Sequence, residues 1–227
     1  EAQSSLVFNP ADQGYCASAN AQLKGLPIGM LLKALRHGNP HGVQMTGELQ
    51  GSAQLKSAAF DPKDLARGVT GSVSLKAGPG ELTGLVPQGA LGGAGTQVGS
   101  LALGLLGQSM QRPGVAALGR IAQELGHIPY DSLEVWAQRS DPEGPVQLQT
   151  LSLKGPKLAV EAQGTMATES PLGQQKFELS LSPSAQGPLG QDLALLGILE
   201  PQPAADGYHK TTEPIALSGT VGHPNLS

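Results

Sequence analysis

Alternation of apolar and polar positions runs through much of this chain. In GVQMTGELQGSAQLK, residues 42–56, the side chains Val43, Met45, Gly47, Leu49, Gly51, Ala53 and Leu55 hold the odd positions and nearly every even one is polar. A period of two is the mark of a strand with one buried face. Fully extended, these fifteen residues would span about 50 Å, whereas ordinary strands run nearer five or six residues. The sheet they join is therefore expected to be long or strongly curved, with a break or bend at Gly47 or Gly51. Val69, Gly71, Val73 and Leu75 repeat the pattern, and GPG at 78–80 followed by ELTGLV predicts a hairpin. Further on, Leu133, Val135 and Ala137 form one set, and Val146, Leu148, Leu151 and Leu153 read as continuing a single face. Across KGPK the face changes to Leu158, Val160 and Ala162, which predicts a turn or bulge near Gly155 and Pro156. Phe177, Leu179 and Leu181, then Ile215, Leu217, Gly219 and Val221, close the series. The whole reads as roughly eight to ten strands joined by short turns, an antiparallel meander.

Three leucine-rich segments switch to helical spacing. LPIGMLLKALRHG has Pro27 as a first-turn residue, Leu26, Met30, Leu31 and Leu35 on one face and Gly38 as its stop. Residues 114–126 place Val115, Leu118, Ile121, Ala122 and Leu125 on one side and end at Gly126. QDLALLGIL is a shorter third case, and all three are expected to cap the sheet or its ends. Residues 86–104 read as a mobile, glycine-rich loop entering a short apolar helix. The fold class is thus mainly β with a few α-helices, a long, curved, mostly antiparallel sheet with an apolar concave face, and residues 1–227 are taken as a single domain.

Composition narrows the chemistry. Apolar residues make up 39% of the 227, aromatics only 3%, and glycines number 32, so the core must be aliphatic and closely approached by backbone. With 14% charged residues, a net charge of −4 and scattered cations, the chain lacks both the electrostatic and the stacking features of nucleic-acid binding. Cys16 is the single cysteine and reads as a half-buried small hydrophobe. No stretch reaches the roughly 20 apolar residues of a membrane span. The glycines Gly93, Gly95 and Gly99 match neither phosphate-binding fingerprint, and Ser109 lacks the second glycine of a nucleophile elbow. His37 and His41 straddle Gly38 and Pro40, a turn rather than a zinc face, and His127, His209 and His223 read as surface or loop residues. Glu48, Glu134, Glu161 and Glu178 fall on the polar parity of strands, as solvated charges do. No catalytic constellation and no cofactor site is expected.

The carboxyl-terminal EPIALSGTVGHPNLS, with Gly219, Thr220, Val221 and Pro224, resembles the closing strand of the AsmA-like C-terminal domain of bacterial envelope proteins related to AsmA and, more distantly, TamB. LKGLPIGMLLKAL, TGELQGSAQLK, IPYDSLEVWAQ and VQLQTLSLKGPKLAVEAQGTMA agree in order, so that the resemblance covers residues 22–227. The family's membrane anchor and long amino-terminal region are not among these residues, and the expectation is a fragment of a longer envelope protein, whose membrane anchoring stays open. The resemblance implies a curved sheet with an apolar inner face, a periplasmic location in a Gram-negative-type bacterium, and a non-catalytic role in outer-membrane biogenesis, with phospholipid or another acyl-chain ligand as partner. It brings no catalytic residues. On the residues themselves, a groove floored by methyl groups would be built from Val43, Met45, Leu49, Val73 and Leu75, with Leu158, Val160, Leu179 and Leu217. Periodicity shows a buried face without saying what buries it, and a core filled by the three helices is the structural reading favoured over an open groove. A second function from another class is a scaffold that offers a sheet edge to an envelope-assembly protein.

Overall fold

A computed structural model describes residues 2–9, 14–35, 44–85, 114–168, 174–220 and 223–226. In chain order its elements are β1 (Ala2–Asn9), β2 (Gly14–Pro27), α1 (Ile28–Leu35), β3 (Gln44–Met45), β4 (Glu48–Ala59), a short 3-10 turn (Pro62–Asp64), β5 (Thr70–Ala77) and β6 (Gly80–Thr83). There follow α2 (Gly114–Glu124), β7 (His127–Tyr130), β8 (Ser132–Arg139), β9 (Val146–Lys154), β10 (Leu158–Met166), β11 (Lys176–Ala185), α3 (Gly187–Leu195), β12 (His209–Lys210), β13 (Ile215–Thr220) and β14 (His223–Leu226). The expected mainly β architecture is present. An 11-stranded sheet runs in the order β1-β2-β4-β5-β8-β9-β10-β11-β13-β14, with β12 paired to one end of β11, and a separate 3-stranded sheet is ordered β3-β6-β7. All pairings are antiparallel, and the large sheet stays open.

Of two expectations about turns, the first holds and the second does not. The opening ribbon breaks at Gly47, whose φ of 120° suits only glycine, so that Met45 joins the small sheet and Leu49 the large one. GPG at 78–80 does not close a hairpin: β5 pairs with β4 and β8, while β6 pairs with β3 and β7. The chain there crosses from one sheet to the other. Val146, Leu148, Leu151 and Leu153 do share a face, although their numbering changes parity between 148 and 151. The register shift opposite Trp136 and Ala137 explains this, because one extra residue at Gln149 restores the alternation. The expected turn at Gly155 and Pro156 links β9 to β10. Residues 86–104, Gly38, His37, His41 and Ser109 lie outside the described residues.

The core occupies one end of the large sheet. Ile28, Leu49, Leu82, Ala117, Ile121, Ile128, Tyr130, Leu153, Leu158, Leu189 and Leu193 form one buried cluster, drawn from both sheets and from α1, α2 and α3. The inward side of α1 is Ile28 with Leu31 and Leu32; Met30 is 64% exposed, which corrects its expected place on the packed face. Pro27 ends β2 rather than entering the helix. On α2, Leu118, Ile121 and Leu125 pack inward as their spacing implies. His209 is a second correction, since it is buried on β12 with its Nδ1 2.8 Å from the Glu200 carbonyl oxygen.

Two polar joints fasten the helical cap. Arg120 of α2 donates from Nε to Asp192 Oδ2 at 2.8 Å and from Nη2 to Oδ1 at 2.5 Å, and Lys157 donates to Glu124 at 2.5 Å. The Arg120 hydrogen bonds hold the Asp192 carboxyl below its ordinary value of 3.8 against an opposing effect of burial. A depressed carboxyl stabilises the fold above its unfolded value and loses that contribution as pH falls through the folded one. Hydrogen exchange of α2 and α3 amides should therefore stay slow at neutral pH and quicken as pH drops below 3.8. In Arg120→Leu desolvation alone acts on the carboxyl and raises it, so the sign reverses: these helices should be loosest at neutral pH and should lose the acid-induced quickening seen in the wild type.

Candidate functional site

Strand register lays the apolar positions out as parallel rows across the large sheet. In one row Ala21 faces Ala53, then Val73, Ala137, Leu148, Gly164, Leu179 and Leu217 in turn. The next row toward the cap runs Leu23, Gly51, Leu75, Val135, Leu151, Ala162, Leu181 and Ile215. A third is Leu26, Leu49, Ala77, Leu133, Leu153, Val160 and Pro183. Each row contains only small or aliphatic side chains and proline, so together they make one continuous apolar wall.

Burial grades along that wall. Leu49, Ala77 and Leu153 are almost fully covered by the helices and the small sheet. The row from Ala21 to Leu217 is half-buried throughout, and among the described residues no helix packs over it. Beyond it, a cavity of about 630 Å³ is lined by Leu55 of β4, Gly71 and Val73 of β5, Ala137 and Arg139 of β8, Val146 of β9, and Thr168 and Gln175 past the ends of β10 and β11. Residues from six successive strands of the sheet, β4 to β11, or from their ends, line one hollow, so the sheet curls around it. The apolar wall is thus a trough, filled at one end and open at the other. Its reverse side is polar, with Glu48, Glu134, Glu161 and Glu178 all exposed and Lys76 donating to Glu134 at 2.9 Å.

Comparison with known proteins returned no matching family model, curated protein or solved structure. The reading of the site rests on its geometry.

The residues expected in a groove are distributed along this gradient. Val73, Leu179 and Leu217 sit in the half-exposed row. Leu75 and Val160 are partly buried and pack against the core. Leu49 and Leu158, at 3% and 8% exposure, belong to the filled end and are core rather than groove wall. Met45 lies opposite Leu82 in the small sheet, and Val43 is outside the described residues. Leu148, Ala137 and Val146 belong to the open wall and were marked by alternation only as strand residues.

The open end is held by Arg139. Its guanidinium donates to the carbonyls of Gly144 at 2.9 Å, Arg67 at 2.9 Å and Val69 at 3.0 Å, and to that of Pro142. These bonds tie the segment after β8 to the segment before β5 across the trough's rim. No spacing in the sequence signals this, because the partners are backbone groups. Among the described residues no cluster of three metal-ligating side chains occurs.

Proposed function

We propose that this chain binds an acyl-chain ligand, a phospholipid foremost, along the open part of the trough, and that it acts without catalysis in lipid handling and outer-membrane biogenesis. A periplasmic setting in the envelope of a Gram-negative-type bacterium, as part of a membrane-anchored parent protein, accords with the resemblance to AsmA-like domains. The observation that carries the reading is the row from Ala21 to Leu217, aliphatic from β2 to β13 and half-buried along its length. An acyl chain laid there meets methyl groups and no unpaired polar atoms. Removing about 200 Å² of apolar surface from water contributes roughly 5 kcal/mol, enough to retain a chain but too little to hold it irreversibly. Such reversible holding suits transfer.

Native mass spectrometry of gently purified protein, with fluorescent-lipid exchange, tests this. Val73→Asp and Leu179→Asp should each cut lipid occupancy by about tenfold, because the buried charge must be desolvated with the ligand. Circular dichroism should be unchanged. Leu49→Asp would be uninformative about binding, since a residue 3% exposed reports on folding. Wild-type protein that repeatedly carries no lipid and exchanges none would defeat the proposal.

A second reading is favoured by the edges of the sheet. Among the described residues β1 pairs only with β2, and its sequence AQSSLVFN has neither charge nor proline to block a further strand. At the opposite edge β14 carries Pro224. A scaffold that receives a strand of an envelope-assembly protein on β1 would lose activity with a proline inside β1 and keep it with Val73→Asp.

A further inference from the structure

The open end of the trough differs in charge from the rest of the molecule. The chain has 14 lysines and arginines against 18 acidic residues, yet among the described residues the 630 Å³ hollow is lined by Lys63, Arg67 and Arg139 and by no carboxylate. Neighbouring acids are turned elsewhere. Asp61 accepts from the Lys63 backbone N–H at 2.9 Å, and Asp141 accepts from that of Glu143 at 2.9 Å, each closing its own turn. Asp64 lies 3.7 Å from Arg67, but both side chains are mostly in solvent, so this pair is weak and readily exchanged for a stronger anion. Arg139 is hydrogen-bonded to carbonyls alone, which fixes its guanidinium while leaving its full charge uncompensated. The field at the rim is therefore positive where the floor, Val73 and Val146, is apolar.

The hollow also has room for a head group. The volume falls within the roughly 300–1,000 Å³ of small-molecule sites.

We infer that this end is a head-group site for an anionic phospholipid, the phosphodiester lying against Lys63 and Arg67, with the acyl chains running past Val73 toward the filled end. The inference rests on the lipid reading above and adds polarity to it: the ligand enters tail first and keeps its head at the mouth.

The experiment compares binding of short-chain phosphatidylglycerol, phosphatidylcholine and oleate to the full chain by competition with a fluorescent fatty acyl probe. Phosphatidylglycerol should bind about tenfold more tightly than phosphatidylcholine at low salt, and the margin should shrink as salt rises. The double variant Lys63→Glu/Arg67→Glu should erase that margin while leaving phosphatidylcholine and the thermal midpoint as they are. If the phospholipids bind alike and the double variant changes nothing, the head-group site is overturned while the trough reading stands. Oleate bound more tightly than phosphatidylglycerol, with the same dependence on Lys63 and Arg67, overturns phospholipid as the occupant. Absence of binding by all three overturns both readings.

Discussion

Replacing Tyr130 by alanine should lower the free energy of unfolding by about 3–5 kcal/mol, the usual cost of deleting a buried aromatic. Tyr130 is 1% exposed at the end of β7, and its hydroxyl donates to the Thr46 carbonyl at 2.5 Å. Gly47 and Gly80 pack against it so closely that an added Cβ would come within 2.6 and 2.5 Å of the hydroxyl oxygen. The next residue, Asp131, donates its N–H to the Lys154 carbonyl at 2.7 Å, at the start of the turn into β8. Tyr130 therefore sits where the small sheet is joined to the large one. Tyr130→Phe keeps the ring and should cost only about 1–3 kcal/mol, for the Thr46 carbonyl left without its donor. Urea unfolding ranks the two variants, and hydrogen exchange in Tyr130→Ala should quicken in β6 and β7 before β9 and β10. A loss under about 1 kcal/mol for the alanine variant would mean that the junction is not close-packed.

Gly71→Val should be worse tolerated than its chemistry suggests, with a loss of about 3 kcal/mol or more and a protein that resists purification. Valine is an excellent strand former, and Gly71 lies inside β5 opposite Leu55 and Arg139. Its φ is 141°, however, and an added Cβ would lie 1.9 Å from the Gln54 carbonyl oxygen and 2.9 Å from the Leu55 Cα. These are backbone atoms of the paired strand and cannot swing aside. Gly164, at φ 157° and with an added Cβ falling 2.0 Å from the Glu178 carbonyl oxygen, is held in the same way on the same face. Gly119→Ala in α2 is the control: nothing lies within 4 Å of the added methyl, and helix propensity should raise stability by about 0.5–1 kcal/mol. Thermal and urea midpoints measured side by side separate a propensity effect from a steric one.

Which side of each strand is apolar was legible in the sequence. Leu133, Val135 and Ala137, or Phe177, Leu179 and Leu181, turn to one face of the sheet because alternation is a property of a single extended chain and needs no partner. The ends of α2 were legible for a similar reason, since Gly126 and the spacing of Leu118, Ile121 and Leu125 are local signals. Strand β2 was not, because Ala17, Ala19 and Ala21 among serine, asparagine and glutamine offer too little contrast to register as a face. Whether two neighbouring strands pair is a different question, as β5 and β6 show on either side of GPG.

For this chain, then, composition and period determined an antiparallel aliphatic wall, with only 3% aromatics to fill it. Tertiary structure alone decided that helices and a second sheet fill one end, placing Leu49 and Leu158 in the core and Leu179 and Leu217 along the open trough. It also brought Lys63, Arg67, Arg139 and Gln175 around one hollow. Periodicity records the direction in which a side chain points from its own backbone, whereas what lies in front of it depends on contacts between segments far apart in the chain.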